Sequence, residues 1–336
     1  MAQNGTNTAI SRYLEIERKA FDECRPLRAH LELTHRCNFR CVHCFLCDFA
    51  RKDELDAAAW FGILEKLKRA GVIYLTFSGG EFLLRSDSEE ITRQAKRMGF
   101  LLRFFTNASL VDEKVIAFWK TVFPSEVEVS LYGASEETYK AVCGSAKLWA
   151  KTRNGIKALA KSGIKTLVKI VALEKNRLEL EKMISFAQEL GLEYRISGKL
   201  TPKEDGDISP LKETISEEHW LEFHNRYEAN RYREREGAES APCAAGRSSL
   251  TVAPNGDVYP CVELRKKTGN LAIQEFEDFW HTSPLLLELR NIRNCDFCYP
   301  ENLDETRAVS VCMGLNYLAT GSLTKVVNIN AETCDK

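Results

Sequence analysis

The stretch Cys37-Asn38-Phe39-Arg40-Cys41-Val42-His43-Cys44 sets three thiols in the spacing Cys-x3-Cys-x2-Cys. Three thiolates are one short of the four that fill an ordinary iron–sulfur cluster. A metal centre with one protein ligand missing keeps a coordination position open for a substrate. The competing reading is a zinc site or a group of buried thiols. Zinc usually brings a second Cys or His pair close by, and this loop has none; Cys47, three residues on, reads as a bystander. A second motif is Phe77-Ser78-Gly79-Gly80-Glu81, which taken alone is an ordinary turn. A third group of thiols lies far downstream at Cys243, Cys261, Cys295, Cys298, Cys312 and Cys334.

Both upstream motifs need something to hold them at one place. Short apolar runs at Leu31–Leu33, Ile73–Phe77, Leu101–Phe105, Val127–Leu131, Leu167–Val171 and Tyr194–Ile196 read as strands. Helical segments fall between them at Ala57–Ala70, Glu89–Met98, Glu113–Thr121, Glu136–Val142 with Trp149–Ser162, and Leu178–Leu190. Strands alternating with helices predict a parallel α/β sheet or open barrel. The cysteine loop follows the first strand and the glycine pair the second, so both lie on the C-terminal rim, where parallel α/β folds gather their active sites. Ile10–Ala29 has the spacing of a helix leading into the first strand. Thr201–Thr214 reads as a loop, and Glu217–Arg235 as a polar helix with a solvated face. From residue 237 on, turn-rich segments and six cysteines mark a second domain.

Of 336 residues, 44% are hydrophobic and 28% charged, ordinary for a globular chain. The 47 basic and 48 acidic residues nearly cancel, which speaks against a dedicated nucleic-acid binder. No run approaches the ~18 apolar residues of a membrane span, and Met1–Arg12 lacks a signal-peptide core. Twelve cysteines in a chain without an export signal read as metal or redox ligands in a reducing cytoplasm.

The cysteine spacing, with Thr34 before it and Asn38 within it, resembles the radical S-adenosylmethionine enzymes, and the Gly-Gly-Glu motif on the same rim agrees. The resemblance covers Ala29 to Ser197. It implies a partial (β/α)6 TIM-type barrel whose [4Fe–4S] cluster, held by Cys37, Cys41 and Cys44, binds S-adenosylmethionine at its open iron. It further implies that Gly79 and Gly80 admit the methionyl part of the cofactor and that Glu81 accepts from its ammonium. Asn107 and Ser130, at the ends of the third and fourth strands, are the softer cofactor-binding matches.

The C-terminal order of cysteines, with Cys243, Gly256, Cys261 and Gly269-Asn270-Leu271, resembles the SPASM extension of that family, which holds auxiliary iron–sulfur clusters. The resemblance implies a lead-in at 1–28, a barrel at 29–236 and a SPASM-like domain at 237–336. It assigns Cys243, Cys261 and Cys312 to one auxiliary cluster and Cys295, Cys298 and Cys334 to another. One cysteine of the family pattern is absent, and Asp304 stands where it is expected, as an alternative ligand. A structural zinc ribbon at Cys295–Cys298 is the competing reading. Cys24 and Cys47 are left without a role; Cys143 is a candidate hydrogen-atom donor near the rim. Glu263 reads as a surface carboxylate.

The activity this resemblance implies is reductive cleavage of S-adenosylmethionine to a 5′-deoxyadenosyl radical and oxidative modification of a ribosomally made peptide, as a crosslink or thioether. The alternatives are peptide epimerisation, oxidation of a small molecule such as a tetrapyrrole or sugar, and a non-enzymatic iron–sulfur electron carrier. Flavodoxin or ferredoxin is the expected reductant. The roughly thirty residues before the first strand are too few for a leader-binding domain, so leader recognition is expected from a separate protein or from the enzyme surface.

Overall fold

The computed structural model describes residues 2–50, 52–227, 240–299 and 312–326, and its nine strands make one sheet. Strands β1 (Arg28–Thr34), β2 (Tyr74–Gly79), β3 (Leu101–Thr106), β4 (Glu126–Leu131), β5 (Thr166–Val171) and β6 (Glu193–Ser197) lie in chain order. Each pairs in parallel with the next. Parallel neighbours need crossover connections. These are α2 (Ala57–Arg69), α3 (Ser88–Arg97), α4 (Glu113–Val122), the pair α5 (Glu136–Cys143) and α6 (Lys147–Ser162), and α7 (Leu180–Glu189); α1 (Ala2–Asp22) precedes β1. Polar caps start several of them: Asp56 accepts from Ala59 N at 2.9 Å, and Asp112 from Val115 N at 2.8 Å. The sheet stays open, with β6 at one edge, which gives the partial barrel that the alternating pattern predicts.

Side chains alternate across each strand. Leu31, Leu33, Phe77, Phe104, Val129 and Ile170 are fully buried among the helices, where Trp119 of α4 packs on Phe104 with ring centroids 5.0 Å apart. The opposite, inner face is polar. There His30 meets Ser78 at 2.5 Å, Arg103 donates to Glu128 at 2.8 Å, and Lys169 lies 3.8 Å from Glu128.

Two sequence expectations change. The N-terminal helix stops at Asp22 instead of continuing to Ala29, because Cys24 takes a left-handed backbone (φ 52°) and Leu27 and Arg28 donate to Ser248 O. The sheet also does not end with six strands. Strand β7 (Ser249–Val252) pairs in parallel with the far side of β1, and β8 (Asp257–Tyr259) and β9 (Gly269–Asn270) add antiparallel. The cysteine-rich region is thereby built onto the strand that feeds the cysteine loop. It continues with α9 (Glu277–Trp280), α10 (Pro284–Asn291) and α11 (Met313–Thr320), after α8 (Glu217–Tyr227).

Candidate active site

The register of β1 against β2 shifts between Glu32 and Thr34, at the point where β1 turns into the cysteine loop. Irregularities of this kind re-aim a chain near active sites. The Gly79-Gly80-Glu81 segment clamps the loop's entry: Gly80 N donates to Thr34 O at 2.7 Å and Glu81 N to Arg36 O at 2.9 Å. A Cβ on Gly79 would stand 2.1 Å from Thr34 O, and one on Gly80 2.5 Å from Arg36 O. The close backbone neighbour of both glycines is therefore the stem of the cysteine loop. From the other side Glu54 accepts from Thr34 Oγ1 at 2.6 Å and from His35 N at 2.9 Å.

Past the stem, the loop rests on the end of α5. Arg40 N donates to Cys143 O at 3.1 Å and Val42 N to Val142 O at 2.9 Å, satisfying carbonyls that a helix terminus leaves without partners. Cys37, Cys41 and Cys44 follow in this loop: Cys37 feels the charge of Cys41 and Cys44, and Cys44 that of Cys41. Burial first, and then crowding by like charges, pushes Cys37 and Cys44 up to about 12. Cys41 is raised further, chiefly by its hydrogen bond with Cys143 and then by burial. Cys143 is 1% exposed and lies behind the loop.

Glu81 is buried and fastened at both oxygens. Thr106 Oγ1 and Asn107 N donate to one, at 2.9 and 2.8 Å, and Leu83 N to the other at 3.3 Å. Burial raises its carboxyl to about 7 despite these donors. Asn107 reaches back to the loop, donating to Asn38 Oδ1 at 3.0 Å, while Asn38 donates to Ser109 at 2.7 Å. Ser130 stands on the inner face and bonds the buried hydroxyl of Tyr132. The Tyr132 ring faces His43 at 5.0 Å; burial lowers His43 to about 4, so the imidazole is neutral near pH 7, and its buried Nδ1 has no partner.

The second thiol group forms in the C-terminal region. Charges of Cys243, Cys261, Cys312 and Glu263 act on one another. Cys312 caps α11, and Gly314 lets that helix press on Glu263, where an added Cβ would meet Glu263 C at 2.8 Å. Glu263 is not an isolated surface carboxylate: Lys199, two residues past β6, lies 3.9 Å from it and bonds Cys312. Cys295 and Cys298 are exposed, and Cys298 N donates to Thr324 O at 3.0 Å. Cys334 and Asp304 lie outside the described residues. Among the described residues no three His, Cys, Asp or Glu side chains converge as a single metal ion requires.

Sequence reasoning missed the buried pair that joins the two thiol groups. Arg265, beyond β8, grips Glu32 of β1 through both carboxylate oxygens, with Nη1 to Oε2 at 2.7 Å. The side chains are 5% and 0% exposed. Burial opposes the charge on Glu32, but Arg265 and His35 hold its carboxyl well below the usual carboxylate range. The guanidinium also stacks on Phe45 of the cysteine loop at 4.8 Å and on Tyr259 at 5.4 Å. Nothing in the local sequence pairs Glu32 with a partner 233 positions away.

Residues 31–187 match the model of the radical SAM superfamily, and residues 243–300 that of the SPASM iron–sulfur cluster-binding domain. The chain thus carries a radical SAM domain followed by a SPASM domain. It is 28% identical over 315 residues to the mycofactocin maturase MftC of Mycobacterium ulcerans, covering 87% of this chain and 84% of that one. It is 26% identical over 281 residues to the antilisterial bacteriocin subtilosin biosynthesis protein AlbA of Bacillus subtilis, covering 79% of this chain. The chain spans only 61% of AlbA's length. Its fold matches SuiB of Streptococcus suis bound to precursor peptide SuiA with a TM-score of 0.66, at 16% identity and over 86% of this chain and 72% of that one.

The family's cofactors are a [4Fe–4S] cluster with S-adenosylmethionine, and the SPASM domain adds auxiliary iron–sulfur binding. The first loop suits that cluster: its thiols at Cys37 and Cys44 are raised chiefly by burial and further by neighbouring thiols, a cost that bound iron removes. No described helix is long and apolar enough to cross a membrane.

Proposed function

We propose that this radical SAM protein cleaves S-adenosylmethionine reductively and oxidatively modifies a ribosomally made peptide. The observation that carries the reading is two thiol groups tied into one fold: Cys37, Cys41 and Cys44 in the loop beyond β1, and Cys243, Cys261 and Cys312 in the C-terminal region that Arg265 fastens to Glu32 of β1 and to Phe45 of that loop. The likeness to MftC and AlbA supports a peptide as the substrate class. When bound, the cluster and S-adenosylmethionine supply a radical that removes one hydrogen atom from the substrate.

The chain's own residues would orient that chemistry and keep it dry. Cys37, Cys41 and Cys44 would hold the cluster on the end of α5, with the stem fixed by Gly79, Gly80 and Glu54. Glu81 keeps lone pairs for the ammonium of the cofactor, whose charge would favour the ionised carboxylate. Asn107 and Ser130 would flank it from β3 and β4. Cys243, Cys261 and Cys312 would hold an auxiliary cluster able to accept the second electron of an oxidation. A flavodoxin or ferredoxin in a reducing cytoplasm would supply the first electron, and a separate protein would present the leader.

The test is the intact mass of a candidate peptide after anaerobic co-expression in deuterated water. Loss of two mass units per event is the expected result. Gain of one deuterium at carbon would replace oxidation by epimerisation, and no change with any peptide encoded nearby would overturn the peptide assignment. Cys41→Ala is expected to abolish cofactor cleavage, and Cys298→Ala to spare cleavage while stopping product.

A further inference from the structure

Helix α6 carries five basic residues, Lys147, Lys151, Arg153, Lys157 and Lys161, and no acidic one, in a chain whose formal net charge is −1. Among the described residues none of its four lysines makes an ion pair, whereas Lys165 just beyond it pairs with Glu126 at 3.2 Å. Lys161 stands in the last turn, where the helix dipole favours a cation; Lys147 stands in the first, where it does not. Lys147 with Lys151, and Lys157 with Lys161, set like charges four residues apart, an unfavourable spacing within the helix itself. On the outer wall Lys157 and Lys161 line a groove of about 580 Å³ with Lys120 of α4 and the apolar Ile116, Ala117 and Ala158; Glu113 is the one acid of the lining. Phe123, which caps α4 one turn past Lys120, is 73% exposed. The same helix braces the cysteine loop. Thr152 Oγ1 donates to Asn107 O at 3.1 Å, and Gly155, next to Asn154 in the groove, lies so close to Ala108 that a Cβ would stand 2.1 Å from its carbonyl oxygen. Asn107 Nδ2 in turn donates to Asn38 Oδ1 at 3.0 Å, and Asn38 follows Cys37.

We infer that the groove between α4 and α6 docks a small acidic flavoprotein that delivers the electron for cofactor cleavage. The inference rests on the reductive cleavage proposed above, which consumes one electron that must come from outside the chain. The flavin passes from hydroquinone to semiquinone as the loop cluster gains that electron, so the step balances without a further reactant. Charge complementarity selects the partner: cations left uncompensated in the free protein attract carboxylates and steer their encounter. The apolar lining and the exposed ring of Phe123 supply the contact that holds the complex once it has formed. Position favours the same wall. The far side of β1 is covered by β7, and the rim is where cofactor and peptide would enter. A partner on α4 and α6 approaches Cys37 through Asn107 and Asn38 and displaces neither.

The experiment uses flavodoxin as the probe and compares the holoenzyme with a variant combining Lys120→Glu, Lys157→Glu and Lys161→Glu. Two quantities are read at low ionic strength: the dissociation constant for flavodoxin, and the 5′-deoxyadenosine formed with reduced flavodoxin or with dithionite as reductant. The expected result is binding weakened by about tenfold or more, with the flavodoxin-driven rate falling in parallel and the dithionite-driven rate unchanged. Raising the salt to about 0.5 M should bring wild-type binding down to that of the variant, because screening removes the same attraction. Equal flavodoxin binding by variant and wild type at low salt would overturn the inference. Should the variant fail to hold its cluster, carbodiimide crosslinking of the wild type decides. Bonds joining flavodoxin carboxylates to Lys120, Lys157 or Lys161 are expected, and crosslinks confined to other lysines refute the docking site. A wild type that forms no 5′-deoxyadenosine even with dithionite refutes the reductive cleavage instead, so the two failures are distinguishable.

Discussion

Glu81→Gln in the cofactor-free protein separates charge from hydrogen bonding at the rim. Burial raises the Glu81 carboxyl from 4.5 to about 7. Below the unfolded value the group is neutral in both folded and unfolded chains and imposes no penalty. Above the folded value it is ionised in both, and the folded state bears the whole cost of a buried charge. The gap of about 2.5 pH units, at 1.36 kcal/mol each, is on the order of 3 kcal/mol. Wild-type stability therefore falls as pH rises through the window from 4.5 to about 7. Glutamine has no such dependence. Its carbonyl can still accept from Thr106 Oγ1 and Asn107 N, while its amide faces Leu83 N and loses that 3.3 Å bond, at a cost of about 1 kcal/mol. The variant should thus be less stable than wild type by about 1 kcal/mol at pH 4.5 and more stable by about 2 kcal/mol at pH 8. Urea denaturation at four pH values across this range reads the difference directly. A difference that stays flat with pH would show that the Glu81 carboxyl ionises as an exposed one does.

Three further outcomes follow from the same geometry. Gly79→Ala, which combines a φ of 133° with a Cβ 2.1 Å from Thr34 O, should displace the loop stem and cut iron bound at the first site severalfold, read by iron and sulfide content. Arg265→Ala leaves Glu32 ionised inside the barrel with only His35 beside it and should cost about 3–5 kcal/mol in denaturant, while Arg265→Met combined with Glu32→Leu should recover most of that loss. Cluster assembly on the loop should weaken as pH falls, because thiols raised to about 12 must lose their protons to bind iron; reconstitution yields between pH 6 and 9 check the direction.

Much of this protein was legible in the residues themselves. Six strands and their helices followed from runs of Val, Leu, Ile and Phe alternating with amphipathic segments, since side-chain period is a local property. The thiol spacing of Cys37, Cys41 and Cys44, and its seat at the end of the first strand, are likewise local. What tertiary structure decided were contacts between distant segments, which no periodicity encodes. Strand β7 gave no strong signal in four residues, yet it extends the sheet from β1. Gly79 and Gly80 announced a close approach without saying that the neighbour is the Thr34–Arg36 backbone. Cys143 and Arg265 carried no motif at all. One is placed by the carbonyls at a helix end and the other by a carboxylate 233 residues away, so their meaning exists only once the chain has brought those partners to them.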